Sequence, residues 1–281
     1  MNEVGIATLI LIIANIFCSL QGLSDRYSFE QNNFQVDKIL LNKDYKRLLT
    51  SGFFQVSALH LILNMASLCF FSGGLELQLG EARYLLIYFA GMIGGNLFSL
   101  FIHRHQFYYN TAIGASGAVS GVIFGTIALF PHFEIGFLGA HFPIPGWFYG
   151  FLYVLVSIYF IKSKSDNIGH ETQLAGGLAG LTTAVCLQPS AILNHYLTIL
   201  AVTIPTVFFI FLLATHPRFL LIDNRILNRQ RKEYNLEQLF LSGVVDDREV
   251  DLILEKIHLN GIESLTKLER QKLDHYSRII Q

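Results

Sequence analysis

Ser116 stands in the run Gly114-Ala-Ser-Gly117, at the start of an apolar stretch that continues to Phe130. A hydroxyl between glycines suits an acyl-transfer nucleophile. The first glycine lets the chain turn sharply and the second leaves room for an incoming backbone. Small residues also serve as packing surfaces between membrane helices, so the run implies chemistry only if partners are found. His60 and Asn64 lie four apart at the head of another apolar stretch. On a helix they share one face, and both can donate hydrogen bonds to a developing oxyanion. The alternative is an interhelical polar pair that holds a bundle together. A third stretch opens Gly169-His170-Glu-Thr-Gln173 and continues through Gly176 and Gly180. That glycine spacing repeats the spacing of Gly117 and Gly121, so two helices could approach closely through these faces. Ser116 and the head of the third stretch would then meet at one end, where a serine nucleophile needs its base.

The elements that must position these residues cross a membrane. The chain has 281 residues, 52% of them hydrophobic and 15% charged, with a net charge of −1. Soluble domains average about 25% charged residues. The charge balance gives no sign of a nucleic-acid partner. A bilayer span needs about 20 apolar residues. Seven stretches approach that length: Val4–Leu23, Ala58–Phe71, Tyr84–Ile102, Ala115–Phe130, Trp147–Ile161, Gln173–Leu187 and Leu197–Ala214. Several are short or interrupted by glycine and polar residues, as befits helices shielded inside a bundle. The first lacks a basic start and a small-residue cleavage site, so it reads as a retained helix. Cys18, Cys69 and Cys186 all lie in apolar runs and read as packing residues.

Asp25–Ser51 is long for a simple connection and is expected to pack on itself at the membrane surface. The chain divides into a transmembrane part (1–216), a basic linker (217–232, with Arg218, Arg225, Arg229, Arg231 and Lys232) and a small helical module (233–281). In the module, Val250, Ile253, Leu254 and Ile257 follow helical spacing. Gly261 is placed to end that helix, and Thr266-Lys-Leu-Glu269 opens another as a capping box. The positive-inside rule puts the lysine- and arginine-rich face, with Ser116, toward the cytoplasm.

His60-x-x-x-Asn64, Gly114-x-Ser116-Gly117 and a glycine-rich sixth span occur in the order found in rhomboid intramembrane serine proteases, which the chain resembles over about residues 40–190. Arg47, Thr50-Ser-Gly-Phe53 and Gly73-Gly-Leu-Glu76 also look like that family. The final module, with Ser264-Leu-Thr and Glu269-Arg, is similar to the tail of some bacterial rhomboids. The resemblance implies an all-α polytopic bundle, with a six-helix core, one added C-terminal transmembrane helix and a soluble tail, in the bacterial cell (inner) membrane. It implies Ser116 as nucleophile, His60 and Asn64 as oxyanion donors, and Gly114, Gly117, Gly176 and Gly180 as motif glycines. Its partners would be transmembrane-helix substrates or clients taken from the bilayer. No cofactor is implied, and the scattered histidines suggest no metal set, with His103-Arg-His105 read as facing a loop.

One departure bears on the chemistry. The family's catalytic histidine position is Gln173 here, and an amide has no useful basicity. Gln55 replaces a second family histidine, and Asn96 is read as standing where an aromatic ring would stack on the catalytic imidazole. His170 is the available surrogate, three residues earlier, about 4.5 Å along a helix axis and turned by roughly 60°. General-base catalysis contributes roughly 10²–10⁴ in rate. Two readings therefore stand: a protease with an unconventional base, and a pseudoprotease that binds membrane helices without cutting them. A solute transporter would need paired half-helices and charges at mid-membrane, and neither is present in the sequence.

Overall fold

The computed structural model describes residues 4–104, 114–131, 134–137, 140–163, 169–215, 253–257 and 265. Residues Met1–Leu221 form one compact unit and Ile222–Gln281 a second. In the second unit, residues 253–257 are helical, with Ile253 and Leu265 buried. The basic linker, Gly261 and the capping box at Thr266–Glu269 lie outside the described residues.

The first unit is a helical bundle. Its first helix, α1 (Ile6–Ser24), is followed by the short α2 (Arg26–Asn32), α3 (Val36–Leu40) and α4 (Arg47–Thr50). Then come α5 (Ala58–Leu79), α6 (Glu81–His103), α7 (Ser116–Leu129), α8 (Gly146–Ser163), α9 (His170–Leu187) and α10 (Ser190–Thr215). Each of the seven apolar stretches has become one long helix. α1, α5, α6 and α10 are long and apolar enough to cross a membrane by themselves, while α7 and α8 are shorter apolar helices. The chain is thus an all-α, polytopic integral membrane protein. An antiparallel hairpin, β1 (Glu134–Phe137) with β2 (Ala140–Pro145), joins α7 to α8 and was not anticipated from the sequence.

All 14 residues of α7 are buried, so this helix is the axis of the bundle and escapes the length a lipid-facing helix needs. Around it, outward faces are apolar: Leu59, Ile62, Leu63 and Phe70 of α5 and Leu193, Leu197, Ile204 and Phe208 of α10 are exposed. α5, α7 and α9 all begin at the same end, and α1 and α10 finish there.

Two polar devices hold the frame. Glu76, near the end of α5, accepts from Ala7 N (2.8 Å), Thr8 N (3.0 Å) and Thr8 Oγ1 (2.5 Å). The N-cap of α1 is Gly5, which offers no side chain, so the carboxylate from another helix satisfies the orphan donors and complements the positive end of the helix dipole. Arg47 organises the surface segment that joins α1 to α5. Its guanidinium donates to Glu30 O, Asn33 O and Asp44 Oδ2, each at 2.9 Å, and is buried. Phe34, Val36 and Ile39 form a separate small core beneath it, packed on Leu48 and Leu100. The segment does pack on itself.

Candidate functional site

The site is built where α7 begins. Gly114 has φ +55°, a left-handed conformation that turns the chain into the helix. A Cβ there would stand 2.5 Å from Gln55 Oε1, the end of a flexible side chain, so it is the torsion that favours glycine. Ser116 follows as the first residue of α7 and is buried. Its carbonyl accepts from Ser120 Oγ at 2.7 Å, and Ser120 Oγ meets Tyr153 OH of α8 at 2.6 Å.

Glycines bring α9 against α7 as expected, and α6 joins them. A Cβ on Gly176 would lie 2.5 Å from Gly117 O and 2.7 Å from Gly91 O of α6, and one on Gly180 would fall on the backbone of Gly121. These are backbone contacts, so neither neighbour can move aside cheaply. A Cβ on Gly117 would stand 3.2 Å from Thr172 Cγ2 and 3.4 Å from Thr172 O. The first turns of α7 and α9 therefore lie side by side, with Ser116 and Gln173 at one end of the same helix pair.

His60 and Asn64 are buried on α5, one turn apart. Ser57 caps that helix, accepting from His60 N at 3.2 Å. Asn64 Nδ2 donates to Gln55 Oε1 at 3.1 Å. The Gln55 carbonyl thus anchors one proton of the Asn64 amide and leaves the second to point elsewhere.

Gln173 and His170 share the first turn of α9, both buried. Gln173 Oε1 receives Ser157 Oγ of α8 at 3.4 Å and pairs with His170 Nδ1 at 3.1 Å. The His170 ring stacks on Phe160 of α8, with centroids 5.1 Å apart and planes 15° apart. Tyr153, Ser157 and Phe160 are spaced i, i+4, i+7, so one face of α8 meets Ser120, Gln173 and His170 in succession. The sequence reading missed this stripe. Its signal was a hydroxyl and two rings at helical spacing inside an aromatic-rich span.

Two further polar residues of α6 have their partners elsewhere, and for one of them the expectation needs correction. The Asn96 amide donates to Leu48 O at 2.6 Å and Ser51 Oγ at 3.3 Å, tying α6 to the surface segment. The ring stacked on His170 is Phe160. His103, expected to face a loop, does not. It is buried at the end of α6, with Nε2 3.2 Å from Glu171 Oε1, which also receives Ser99 Oγ at 3.3 Å. Helical spacing put His103 on the same face as Ser99, and a buried carboxylate needs such partners. Among the described residues no group of three or more His, Cys, Asp or Glu is placed to hold a metal ion. A cavity of about 470 Å³ lined by Pro131, Trp147, His195 and Tyr196 lies at the opposite end of the bundle and takes no part in the site.

The Rhomboid domain family matches residues 42–190, more than half of the chain. The chain belongs to the rhomboid family. A family of unknown function (DUF6576) matches residues 244–279. Among similar proteins, RHOMBOID-like protein 12, mitochondrial, of Arabidopsis thaliana is 27% identical over 183 residues, 59% of this chain and 54% of that protein. Rhomboid protein 1, mitochondrial, of Saccharomyces cerevisiae is 35% identical over 114 residues, 38% of this chain and 32% of that protein. Rhomboid-related protein 4 of Homo sapiens is 30% identical over 192 residues, 64% of this chain and 57% of that protein. The rhomboid chain described here thus spans about a third to somewhat more than half of these relatives.

Proposed function

We propose that this rhomboid is an intramembrane serine endopeptidase that admits single transmembrane helices from the lipid and cleaves them where helix-destabilising residues expose the backbone. The observation that carries the reading is the start of α7. A buried serine follows a left-handed glycine and lies against the glycine face of α9. Ser116 attacks the substrate carbonyl. His60, the free proton of the Asn64 amide and the Ser116 backbone N–H stabilise the oxyanion, an interaction worth about 10²–10³ in kcat per donor in other enzymes. Burial strengthens each of these contacts, because little water competes with them.

The second reading, client binding without cleavage, is favoured by the chemistry of Gln173. An amide at that position takes no proton at any accessible pH. We place either activity in a bacterial cell membrane, which rests on the resemblance of the tail; the mitochondrial relatives lend that no support. Division into a bundle, a basic linker and a tail module belongs to the same proposal.

The test is cleavage of a generic transmembrane substrate by the purified full chain in liposomes, beside Ser116→Ala and Gln173→His. Cleavage by wild type that is lost in Ser116→Ala supports the protease. No cleavage by wild type, with cleavage gained in Gln173→His, overturns it in favour of the binding protein.

A further inference from the structure

The serine of a hydrolase must lose its proton to something, and the residue at the usual place cannot accept one. The first turn of α9 holds one imidazole, and its surroundings fix it. Phe160 stacks on its face at 5.1 Å, Gln173 Oε1 pairs with its Nδ1 at 3.1 Å, and the surrounding helices bury it. Gln173 is itself held, since Ser157 Oγ donates to the same oxygen at 3.4 Å. A carbonyl oxygen can only accept, so the His170 proton resides on Nδ1, and Nε2 carries the basic lone pair. This is the logic of the nucleophile–histidine–amide arrangement, in which a side-chain carbonyl sets the tautomer and orientation of the imidazole.

Resting on the protease reading above, we propose that His170 is the general base for Ser116 and that Gln173 is its positioning residue, the two dividing between them what one histidine does elsewhere. Depth is favourable. Gly117 lies against Thr172, so Ser116 and His170 open adjacent helix ends at the same level. His170 meets α8 through Phe160, and the same helix reaches the first turn of α7 through Tyr153 and Ser120. The approach of a substrate backbone between α7 and α8 would bring the nucleophile and imidazole to a common atom.

The step balances as follows. As Ser116 Oγ bonds to the substrate carbonyl carbon, its proton passes to His170 Nε2 and the carbonyl π pair moves onto the oxygen. Collapse of the tetrahedral intermediate breaks the C–N bond, and the leaving amine takes the proton from Nε2. Water then attacks the ester, giving a proton to Nε2, and the serine recovers it as the acid product leaves. His170 ends as it began.

Among the described residues, the other titratable groups around this turn have partners or stand on other helices. Glu171 faces α6 and is engaged by His103 and Ser99, Tyr153 of α8 is engaged by Ser120, and His60 stands on α5. No other imidazole shares the first turn of α9.

The experiment measures kcat and KM against pH for the full chain in liposomes, with a generic transmembrane substrate, and the pH dependence of Ser116 labelling by a fluorophosphonate. His170→Ala is expected to lower kcat by roughly 10²–10⁴ with little change in KM, and to abolish labelling, as Ser116→Ala does. Gln173→Glu keeps the fold and supplies a carboxylate to the same Nδ1–H. It should preserve cleavage and move the acid limb of the profile up by roughly one pH unit, because a nearby negative charge favours the imidazolium. Gln173→Met removes the acceptor and should lower kcat while leaving that limb ill-defined. Ser116-dependent cleavage that persists in His170→Ala, or an acid limb unmoved by Gln173→Glu, overturns this inference and leaves the protease standing. Absence of Ser116-dependent cleavage in wild type overturns both.

Discussion

Replacing Gly176 by alanine tests the packing on which the site depends. The added methyl carbon would lie 2.5 Å from Gly117 O and 2.7 Å from Gly91 O, against an ordinary contact of 3.4 Å or more. Relieving both overlaps requires α9 to withdraw by about 1 Å from two helices at once, and carbonyl oxygens engaged in helices cannot rotate away. Overpacking of this kind costs about 1–3 kcal/mol, occasionally more. Each 1.4 kcal/mol is tenfold in an equilibrium constant, so the folded-to-unfolded ratio should fall roughly 5- to 150-fold. Gly74 on α5 is the internal control. A Cβ there meets nothing within 4 Å, and helix propensity favours alanine over glycine by up to about 1 kcal/mol. The assay is denaturant unfolding of the two variants in one detergent, beside wild type. Gly176→Ala should lower the midpoint while Gly74→Ala holds or raises it. Equal midpoints for Gly176→Ala and wild type would refute the three-helix glycine contact, and a drop in Gly74→Ala alone would refute the packing description of α5.

Three further outcomes follow from other contacts. Glu76→Ala should destabilise the bundle by roughly 3 kcal/mol or more, because it orphans two backbone donors and the Thr8 hydroxyl at about 1–3 kcal/mol each; an unchanged unfolding midpoint would show that α1 is held by its apolar face alone. Asp25 caps α2, and the bonds from Ser28 and Tyr27 hold its carboxyl below the usual range, so its contribution is present above the unfolded-state value and fades as pH falls through the lower folded one. Amide protection in α2, corrected for the intrinsic pH dependence of exchange, should therefore be steady from pH 7 to 5 and fall only in stronger acid, with Asp25→Asn removing that acid dependence. If the protease reading holds, Asn64→Ala should cut kcat about 10²–10³-fold, and Gln55→Met should cut it less, since it frees the Asn64 amide without removing it. A larger effect in KM than in kcat would assign Asn64 to substrate binding instead.

The long helices were legible because apolar length is a one-dimensional signal, and the bilayer fixes that length. The meeting of α7 and α9 was legible for a related reason: small residues four apart have few uses beyond close approach. The hairpin at Glu134–Pro145 was not, since its residues share the apolar composition of the spans around them. Asn96 and His103 show the other limit. Each is polar in a span, so a polar partner could be foreseen, but the partner lies 45 to 68 residues away in the chain and only the fold decides which it is. Phe160 was hidden among 24 phenylalanines, and nothing local separates a ring that faces lipid from one that stacks on an imidazole.

Gln173 is where this matters most. Read alone, glutamine in place of histidine is a loss, and the sequence then describes an impaired enzyme. In the fold, its carbonyl is engaged by Ser157 and paired with His170 in the same turn, while Gln55 anchors Asn64 through the same kind of carbonyl. Both substitutions put an acceptor beside a group that must be oriented. An amide oxygen fixes a neighbouring donor without titrating, so the geometry around Ser116 would not change over the pH range in which imidazoles gain and lose protons. A site with titrating histidines at both positions would carry up to two additional charges in a buried setting, and each would weigh on the basicity of the remaining imidazole. With both glutamines neutral, the proposed base His170 is the group expected to limit the acid side of the profile. A pH profile limited by a single ionisation on its acid side is the expected signature, and two resolved acid ionisations would count against the pair acting as neutral anchors.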